Sequence, residues 1–240
     1  MRRPRGVIAP EIAAHARRAD CSRVVRVFAA AGIAAIAATP ATPALAADDG
    51  AGRRTASADK PDWEFAINAY PTQVRGGDNY TSAIAVADRG PLHLEARANY
   101  EANGARSAFV GWTFAGGEAV TWELTPLLGG AWGEISAFVP GLEASVAWQR
   151  LDFYVEAEYV RDNKAQSDRY TYAWSELGFQ AFEWLRLGLA GQRTRAYGGA
   201  REYQRGPFVQ GSWGPVTLGG YWFNPGSSEQ VFVAQIGIAF

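Results

Sequence analysis

Few residues of this 240-residue chain have side chains suited to chemistry, and they stand apart from one another. Outside residues 1–46 there is a single histidine, His93, and no cysteine, because Cys21 lies within those first residues. One His without a clustered set of further ligands has no metal-binding spacing. The chain also has no glycine-rich phosphate loop or nucleotide motif. The sequence therefore predicts no metal centre, no cofactor and no thiol chemistry.

Two carboxylates, Glu156 and Glu158, stand two residues apart, a spacing that could serve acid–base catalysis in a cleft. The same spacing is common on any polar face of a β-strand, where residues i and i+2 point the same way. His93 is also expected on the polar face of a strand. The catalytic histidine of an enzyme that hydrolyses membrane lipid would instead have to face the lipid. We therefore expect that the protein is not an enzyme.

Residues 1–46 are predicted to be an N-terminal extension and a cleaved signal peptide. Arg23 and Arg26 precede the apolar run 27–38, and Ala44-Leu45-Ala46 offers a cleavage site of the small-x-small type. Residues 47–61 are small and charged, and we expect a flexible periplasmic tail there. Residues 47–240 hold 16 basic and 22 acidic side chains, a net charge of −6. A nucleic-acid-binding protein would carry the opposite sign, so no nucleic-acid partner is expected.

Alternation of apolar and polar residues recurs along residues 62–240, with turn residues between the runs. The clearest run has an apolar face of Leu92, Leu94, Ala96, Ala98 and Tyr100 and a polar face of His93, Glu95, Arg97, Asn99 and Glu101. Twelve such runs can be counted, with ten as the alternative, and bacterial barrels need an even number. The predicted fold class is all-β, a closed antiparallel transmembrane β-barrel that occupies residues 62–240.

Three positions interrupt this pattern. Pro126 cannot donate to a strand ladder, so a bulge or local unpairing is expected there. Alternation from Leu185 onward points Arg193 and Arg195 at lipid. Either a bulge near residues 188–191 turns them inward, or they lie at the level of the lipid headgroups, where cationic side chains cost little. Residues 133–141 are expected to form a longer loop.

Outward aromatic residues are predicted to form two girdles, one at each membrane interface. The periplasmic girdle is expected to contain Trp63, Phe114, Trp122, Trp148, Phe179, Trp184 and Trp213. The opposite girdle is expected to contain Tyr80, Tyr100, Trp132, Tyr159, Tyr203 and Trp222.

The last ten residues alternate strictly and end on an aromatic residue, Phe240. With the signal peptide, the twelve strands and the girdles, this terminus resembles that of the bacterial outer-membrane β-barrel (porin-like) superfamily. The resemblance implies an integral protein of the outer membrane, in contact with outer-membrane lipid, lipopolysaccharide and the barrel-assembly machinery. It also implies an assembly signal, which would consist of Phe232, Ile236, Ile238 and Phe240.

The inward faces carry a mainly acidic set of charged residues. These are His93, Glu95, Arg97, Glu101, Glu123, Glu143, Asp152, Glu156, Glu158, Glu176 and Arg186. Twelve tilted strands give a backbone diameter of about 24 Å, with ~10 Å of free bore or less. Rings of carboxylates would favour a passive channel for small hydrophilic or cationic solutes. Alternatively, the charges pair across the lumen and close it, which leaves a structural or envelope-integrity barrel. A lipid-acting enzyme is expected less than either.

Overall fold

The computed structural model describes residues 62–164, 169–196 and 201–240 of the chain. The predicted leader, residues 1–46, and the predicted tail, residues 47–61, lie outside the described residues. No helix in the described part is long and apolar enough to cross a membrane.

Antiparallel strands make up the fold, and each pairs with its neighbours in sequence. They are β1 (Glu64–Val74), β2 (Tyr80–Arg89), β3 (Leu92–Ala98), β4 in two segments (Ala105–Trp112 and Phe114–Gly117), β5 (Val120–Gly133), β6 (Ala137–Trp148), β7 (Leu151–Asp162), β8 (Tyr170–Phe182), β9 (Leu185–Ala196), β10 (Arg201–Trp213), β11 (Val216–Phe223) and β12 (Val231–Ala239). Because β1 also pairs with β12, the sheet closes on itself. The prediction of a closed 12-stranded antiparallel barrel is confirmed.

The break in β4 lies opposite Pro126 of β5. Gly111 pairs with Leu127 and Phe114 pairs with Leu124, so the register is the same on both sides of the break. There is no bulge, only the local unpairing that is expected because proline has no N–H to donate. The neighbouring Thr113 N–H donates to the carbonyl of Pro91 on the β3 side, at 2.7 Å.

The two ends of the barrel differ in their connections. At one end, which we call the turn end, two-residue turns join the strands and the chain terminates; the turns are 90–91, 118–119, 149–150, 183–184 and 214–215. The other end, the loop end, carries 75–79, 99–104, 134–136, 163–169, 197–200 and 224–230, of which 165–168 and 197–200 are outside the described residues. The prediction of a longer loop at 133–141 is wrong. Ala131 pairs with Ala137, and only residues 134–136 connect β5 to β6.

Alternate residues of every strand face outward, and these are predominantly large and apolar. Leu128, Leu177 and Leu189 are more than half exposed on this outer face. Such a continuous apolar surface is costly in water but suits the hydrocarbon of a bilayer. Four outward arginines lie toward the loop end of β4, β7, β9 and β10, and they are Arg106, Arg161, Arg193 and Arg205. Arg89 faces outward at the turn end of β2, over the ring of Trp63.

The orientation of Arg193 follows from the strand register. The β8–β9 ladder runs without a shift from Arg186 to Ala196, so no bulge occurs at 188–191. Arg193 is exposed on the outer face, while its neighbours Gln192 and Thr194 are buried inside. Of the two alternatives, the structure therefore has Arg193 outward near the loop end. The side chain of Arg195 lies outside the described residues.

Two girdle residues were predicted on the wrong face, Tyr80 and Tyr100. Tyr80 shares its face with Ser82 and Ile84, which are buried in the interior. Strand β3 ends at Ala98, and Asn99 adopts a left-handed conformation with φ 53°. That backbone turn breaks the alternation, and Tyr100 becomes an interior residue with 0% exposure.

Candidate functional site

The predicted lumen residues all lie on the inner side of the barrel or at its mouth. Seven of them are buried: His93, Glu95, Arg97, Glu101, Glu156, Glu158 and Glu176. Glu143, Asp152 and Arg186 are half-buried, and Glu123 is exposed at the turn end. Strand alternation was therefore sufficient to find these positions except Glu101, which lies in the 99–104 loop after the alternation breaks. What it could not give is which of them meet across the barrel.

Arg97 of β3 is the centre of the first group. Its Nη2 donates to Glu95 Oε2 at 2.7 Å, and its Nη1 lies 3.0 Å from Glu156 Oε1 and also bonds Glu158. Glu101, from the 99–104 loop, is 3.9 Å from the same Nη1. One buried guanidinium thus holds four carboxylates that come from β3, β7 and a loop. Burying these charged groups is costly, and the contacts with Arg97 offset part of that cost.

Arg186 of β9 is the centre of a second group. It bonds Asp152 of β7, donates to Glu176 of β8 at 2.7 Å and donates to Gln210 of β10 at 2.6 Å. Gly178 faces the same space, and a Cβ there would overlap both the guanidinium and the Asp152 carboxylate. Glycine at this position therefore allows the ion pair to form across β8.

Aromatic rings fill the space between and beyond the two arginines. The largest are less than 2% exposed: Tyr70, Tyr100, Tyr172, Trp174, Tyr221 and Phe223. Trp174 makes edge-to-face contacts with Tyr221 and Phe223, with ring centroids 5.3 Å apart in each case. Such contacts are a favoured geometry for aromatic pairs. Sequence reasoning placed Tyr100 in the outer girdle and did not identify the other five as plug residues, although Trp174 and Tyr221 stand at inward positions of their strands.

Polar bonds connect the rings to the charged groups. The Tyr221 hydroxyl donates to Glu176 Oε1 at 2.9 Å, and the Tyr100 hydroxyl donates to Glu156 at 2.9 Å. Tyr170 of β8 donates to the backbone carbonyl of Glu101 at 2.6 Å, which joins the 99–104 loop to the opposite wall. We call this assembly of the Arg97 group, the Arg186 group and the six rings the lumen plug. Its side chains leave little interior surface open to water.

A cavity of about 120 Å³ remains on the turn-end side of the plug. Its lining includes His93, Glu95, Glu123, Glu143, Asp152 and Tyr154. Because Glu123 is exposed, the cavity opens toward the turn end. The lumen is thus closed over its middle and loop-end portions and has an acidic vestibule at the turn end.

Most of the predicted girdle residues are exposed on the outer face. Toward the turn end these are Trp63, Phe114, Trp122, Trp148, Phe179, Trp184 and Trp213, and toward the loop end they are Trp132, Tyr159, Tyr203 and Trp222. Some stack on one another, as Trp184 does on Trp213 with centroids 5.8 Å apart. The two exceptions are Tyr80 and Tyr100, described above.

The four residues of the proposed assembly signal also face outward. Phe232, Ile236, Ile238 and Phe240 are exposed on β12 and at its end. The Phe240 ring stacks on Phe65 with centroids 5.7 Å apart, and the two backbones exchange hydrogen bonds of 2.8 and 2.9 Å. The last residue therefore takes part in the seam that closes the barrel.

Comparison with known proteins supports the fold. No protein-family model matches the sequence, and no curated protein matches it either. Among solved structures, the KdgM porin is similar, with 9% identity and a TM-score of 0.52, over 73% of this chain and 98% of that one. The KdgM porin in complex with disordered oligogalacturonate gives 6% identity, a TM-score of 0.53 and the same coverage of 73% and 98%.

At such low identity the likeness concerns the fold alone. The closed barrel, its apolar outer face and the fold that it shares with the KdgM porin together define a membrane-spanning β-barrel of porin-like fold. The predicted location in the bacterial outer membrane agrees with all three observations.

Proposed function

We propose that this protein is a non-conducting barrel of the outer membrane, whose lumen is closed by its own side chains. The observation that carries the proposal is the burial of the lumen plug: Arg97 is 3% exposed, Glu156 1% and Trp174 1%. An open pore would leave such inward side chains in contact with water. A solute could pass only by separating Arg97 from its carboxylates, and a buried charge that loses its partner costs about 3–5 kcal/mol.

In this role the protein acts through the outer surface of the barrel and not through a passage inside it. The apolar outer face would contact outer-membrane lipid and lipopolysaccharide, with the outward arginines near the loop end close to anionic headgroups. The terminal strand would be bound by the barrel-assembly machinery during insertion. The buried plug would stiffen the barrel, because its ion pairs and hydrogen bonds link β3 to β7 and link β9 to β7, β8 and β10.

A passive channel for small hydrophilic or cationic solutes is the second candidate. It is favoured by the porin fold and by the lumen charges, because eight carboxylates of the predicted set stand against Arg97, Arg186 and His93. The oligogalacturonate bound to the KdgM porin is itself an anion. An acidic lumen repels anions, so we do not transfer that ligand to this chain.

Conductance across a planar bilayer distinguishes the two candidates. We expect the refolded protein to be silent while it shows the heat-modifiable migration of a folded barrel. The double variant Trp174→Ala/Tyr221→Ala should become permeable to small cations, because it removes two rings of the plug. The matched control, Trp132→Ala/Trp222→Ala, removes two rings of the outer face and should remain silent. Stepwise, cation-biased currents from the unmodified protein would instead establish the channel.

A lipase assay in detergent micelles tests the remaining class. We expect no hydrolysis, since His93 points into the vestibule and not toward lipid. Hydrolysis that His93→Gln abolished would overturn this expectation.

A further inference from the structure

The vestibule brings two residues of one strand close to a residue of another. His93 and Glu95 are two residues apart on β3, while Glu143 lies on β6, three strands further around the barrel. One ligand atom from each lies within 4.8 Å of the other two. An imidazole nitrogen and two carboxylate oxygens form a donor set that binds divalent transition metals.

His93 has a buried ring nitrogen without a hydrogen-bond partner, and this points to a ligand. The residue is 8% exposed, and its Nε2 is buried without a hydrogen-bond partner. A buried polar atom without a partner is costly, and a bound ligand would remove that cost. Nε2 is directed into the cluster, 3.9 Å from Glu95 Oε2.

The other ring nitrogen of His93 is already held. Its Nδ1 lies 2.7 Å from Oδ1 of Asp88, the residue that pairs with His93 across the β2–β3 ladder. A carboxylate on the far nitrogen is the usual support of a metal-binding histidine, because it fixes the ring and keeps the proton on Nδ1. The unprotonated Nε2 is then available to bind a metal ion through its lone pair.

The charge balance also favours a cation. The ion pairs of the two interior arginines reach Glu95, Glu101, Glu156, Glu158, Asp152 and Glu176. Within the described residues these pairs do not extend to Glu143 or Glu123. Glu95 Oε2 accepts from Arg97 and also lies 3.9 Å from His93 Nε2, so a bound ion would share this carboxylate with the arginine.

We propose that His93, Glu95 and Glu143 form a binding site for a divalent transition metal, with Zn²⁺ as the best match. The nitrogen donor distinguishes it from sites for Mg²⁺ or Ca²⁺, which prefer oxygen ligands. Zinc ligands at about 2.0–2.2 Å stand roughly 3.3 Å from each other in a tetrahedron. The side chains would therefore close by about 1–2 Å around the ion. The cavity of about 120 Å³ leaves room for water in the fourth position.

Isothermal titration of the refolded, tag-free barrel with Zn²⁺ tests the site. We expect one ion per chain, and an excess of Mg²⁺ should not displace it. Co²⁺ bound in its place should give the visible absorption of a four-coordinate ion with nitrogen and oxygen ligands. His93→Gln and Glu143→Gln should each weaken binding by more than about 100-fold, and Asp88→Asn by about 10–100-fold, as expected for a supporting carboxylate.

The control is Glu183→Gln, which removes an exposed carboxylate from the turn between β8 and β9. It should leave the affinity unchanged. The two single-residue variants in β3 and β6 are independent, so a folding failure of one leaves the other as the test. The proposal is overturned if the folded variants bind Zn²⁺ as tightly as the unmodified protein, or if Mg²⁺ competes equally. Either result leaves the conductance experiment, and hence the proposed function, unaffected.

Discussion

At the scale of single residues, Arg97 contributes most to holding the lumen closed. Its guanidinium lies 4.3 Å from the ring centroids of both Tyr100 and Phe109, in addition to its four carboxylate contacts. The carboxylates are desolvated, so their stability in the charged form depends on this one cation.

We expect Arg97→Ala to lower the free energy of unfolding by about 3–5 kcal/mol, because it leaves buried carboxylates without their counter-charge. Urea unfolding in detergent micelles, followed by heat-modifiable migration, measures the change. Arg193→Ala is the matched control, since Arg193 is exposed on the outer face, and it should cost less than about 0.5 kcal/mol. Equal stability of the two variants would show that Arg97 does not hold the plug.

Strand alternation correctly placed the charged lumen residues that lie on strands, because side-chain direction has a period of two along a strand. The same rule failed at Tyr100, where the left-handed Asn99 lies between the strand and the ring. The approach of Glu143 to His93 was also invisible in the sequence, since it depends on the curvature of the barrel. Contacts between distant strands require the closed structure.

At the scale of elements, the 99–104 loop depends on Asn99. The Asn99 Oδ1 accepts a bond of 2.9 Å from the Gly104 N–H, and its Nδ2 donates to the Thr81 carbonyl at 3.0 Å. These bonds fix the turn that directs Tyr100 and Glu101 into the lumen.

Asn99→Val should destabilise the barrel by about 1–2 kcal/mol, because a β-branched residue strongly disfavours the left-handed conformation. Asn99→Gly keeps the backbone conformation and loses only the side-chain bonds, so it should cost less than the valine variant. Thermal unfolding in micelles measures both. A glycine variant that is no better than valine would show that the side-chain bonds matter more than the backbone.

Strand β12 closes the barrel, and Phe240 lies in the seam with β1. We expect removal of Phe240 to reduce the fraction of protein assembled in the outer membrane, as judged by heat-modifiable bands from the membrane fraction. Phe182→Ala is the control, because Phe182 is also an exposed aromatic at the turn end, on β8. If the truncated chain assembled as well as this control, Phe240 would have no role in recognition.

Several features of the elements were predictable and others were not. Turn residues and alternation located twelve strands, and the missing N–H of Pro126 predicted the unpaired step opposite it. The start of β6 was not predicted, because residues 133–141 were expected to form a loop, whereas the strand begins at Ala137. Within β5, Gly129 leaves space for the ring of Phe109 on β4.

At the scale of the whole molecule, the closed lumen is the property that the sequence left open. Trp174 on β8 and Tyr221 on β11 are close only because the sheet closes, so neither strand alone shows that they fill the bore. The outer surface is simpler, since each outward residue meets lipid or headgroups according to its height. The four outward arginines near the loop end mark one boundary of the apolar belt, and Arg89 lies near the other.

This boundary can be tested with two substitutions on one strand and one face. Leu177 and Thr171 both face outward on β8, and Thr171 lies next to the loop end, whereas Leu177 lies toward the middle of the strand. We expect Leu177→Arg to cost about 2–4 kcal/mol when the protein is folded in lipid vesicles, as for a charge at the bilayer midplane, and Thr171→Arg to cost about 0–1 kcal/mol. Urea unfolding from vesicles, followed by tryptophan fluorescence, gives both values. Equal costs would mean that Leu177 and Thr171 lie at the same depth, and the barrel would then be tilted or shifted from the position that its arginines indicate.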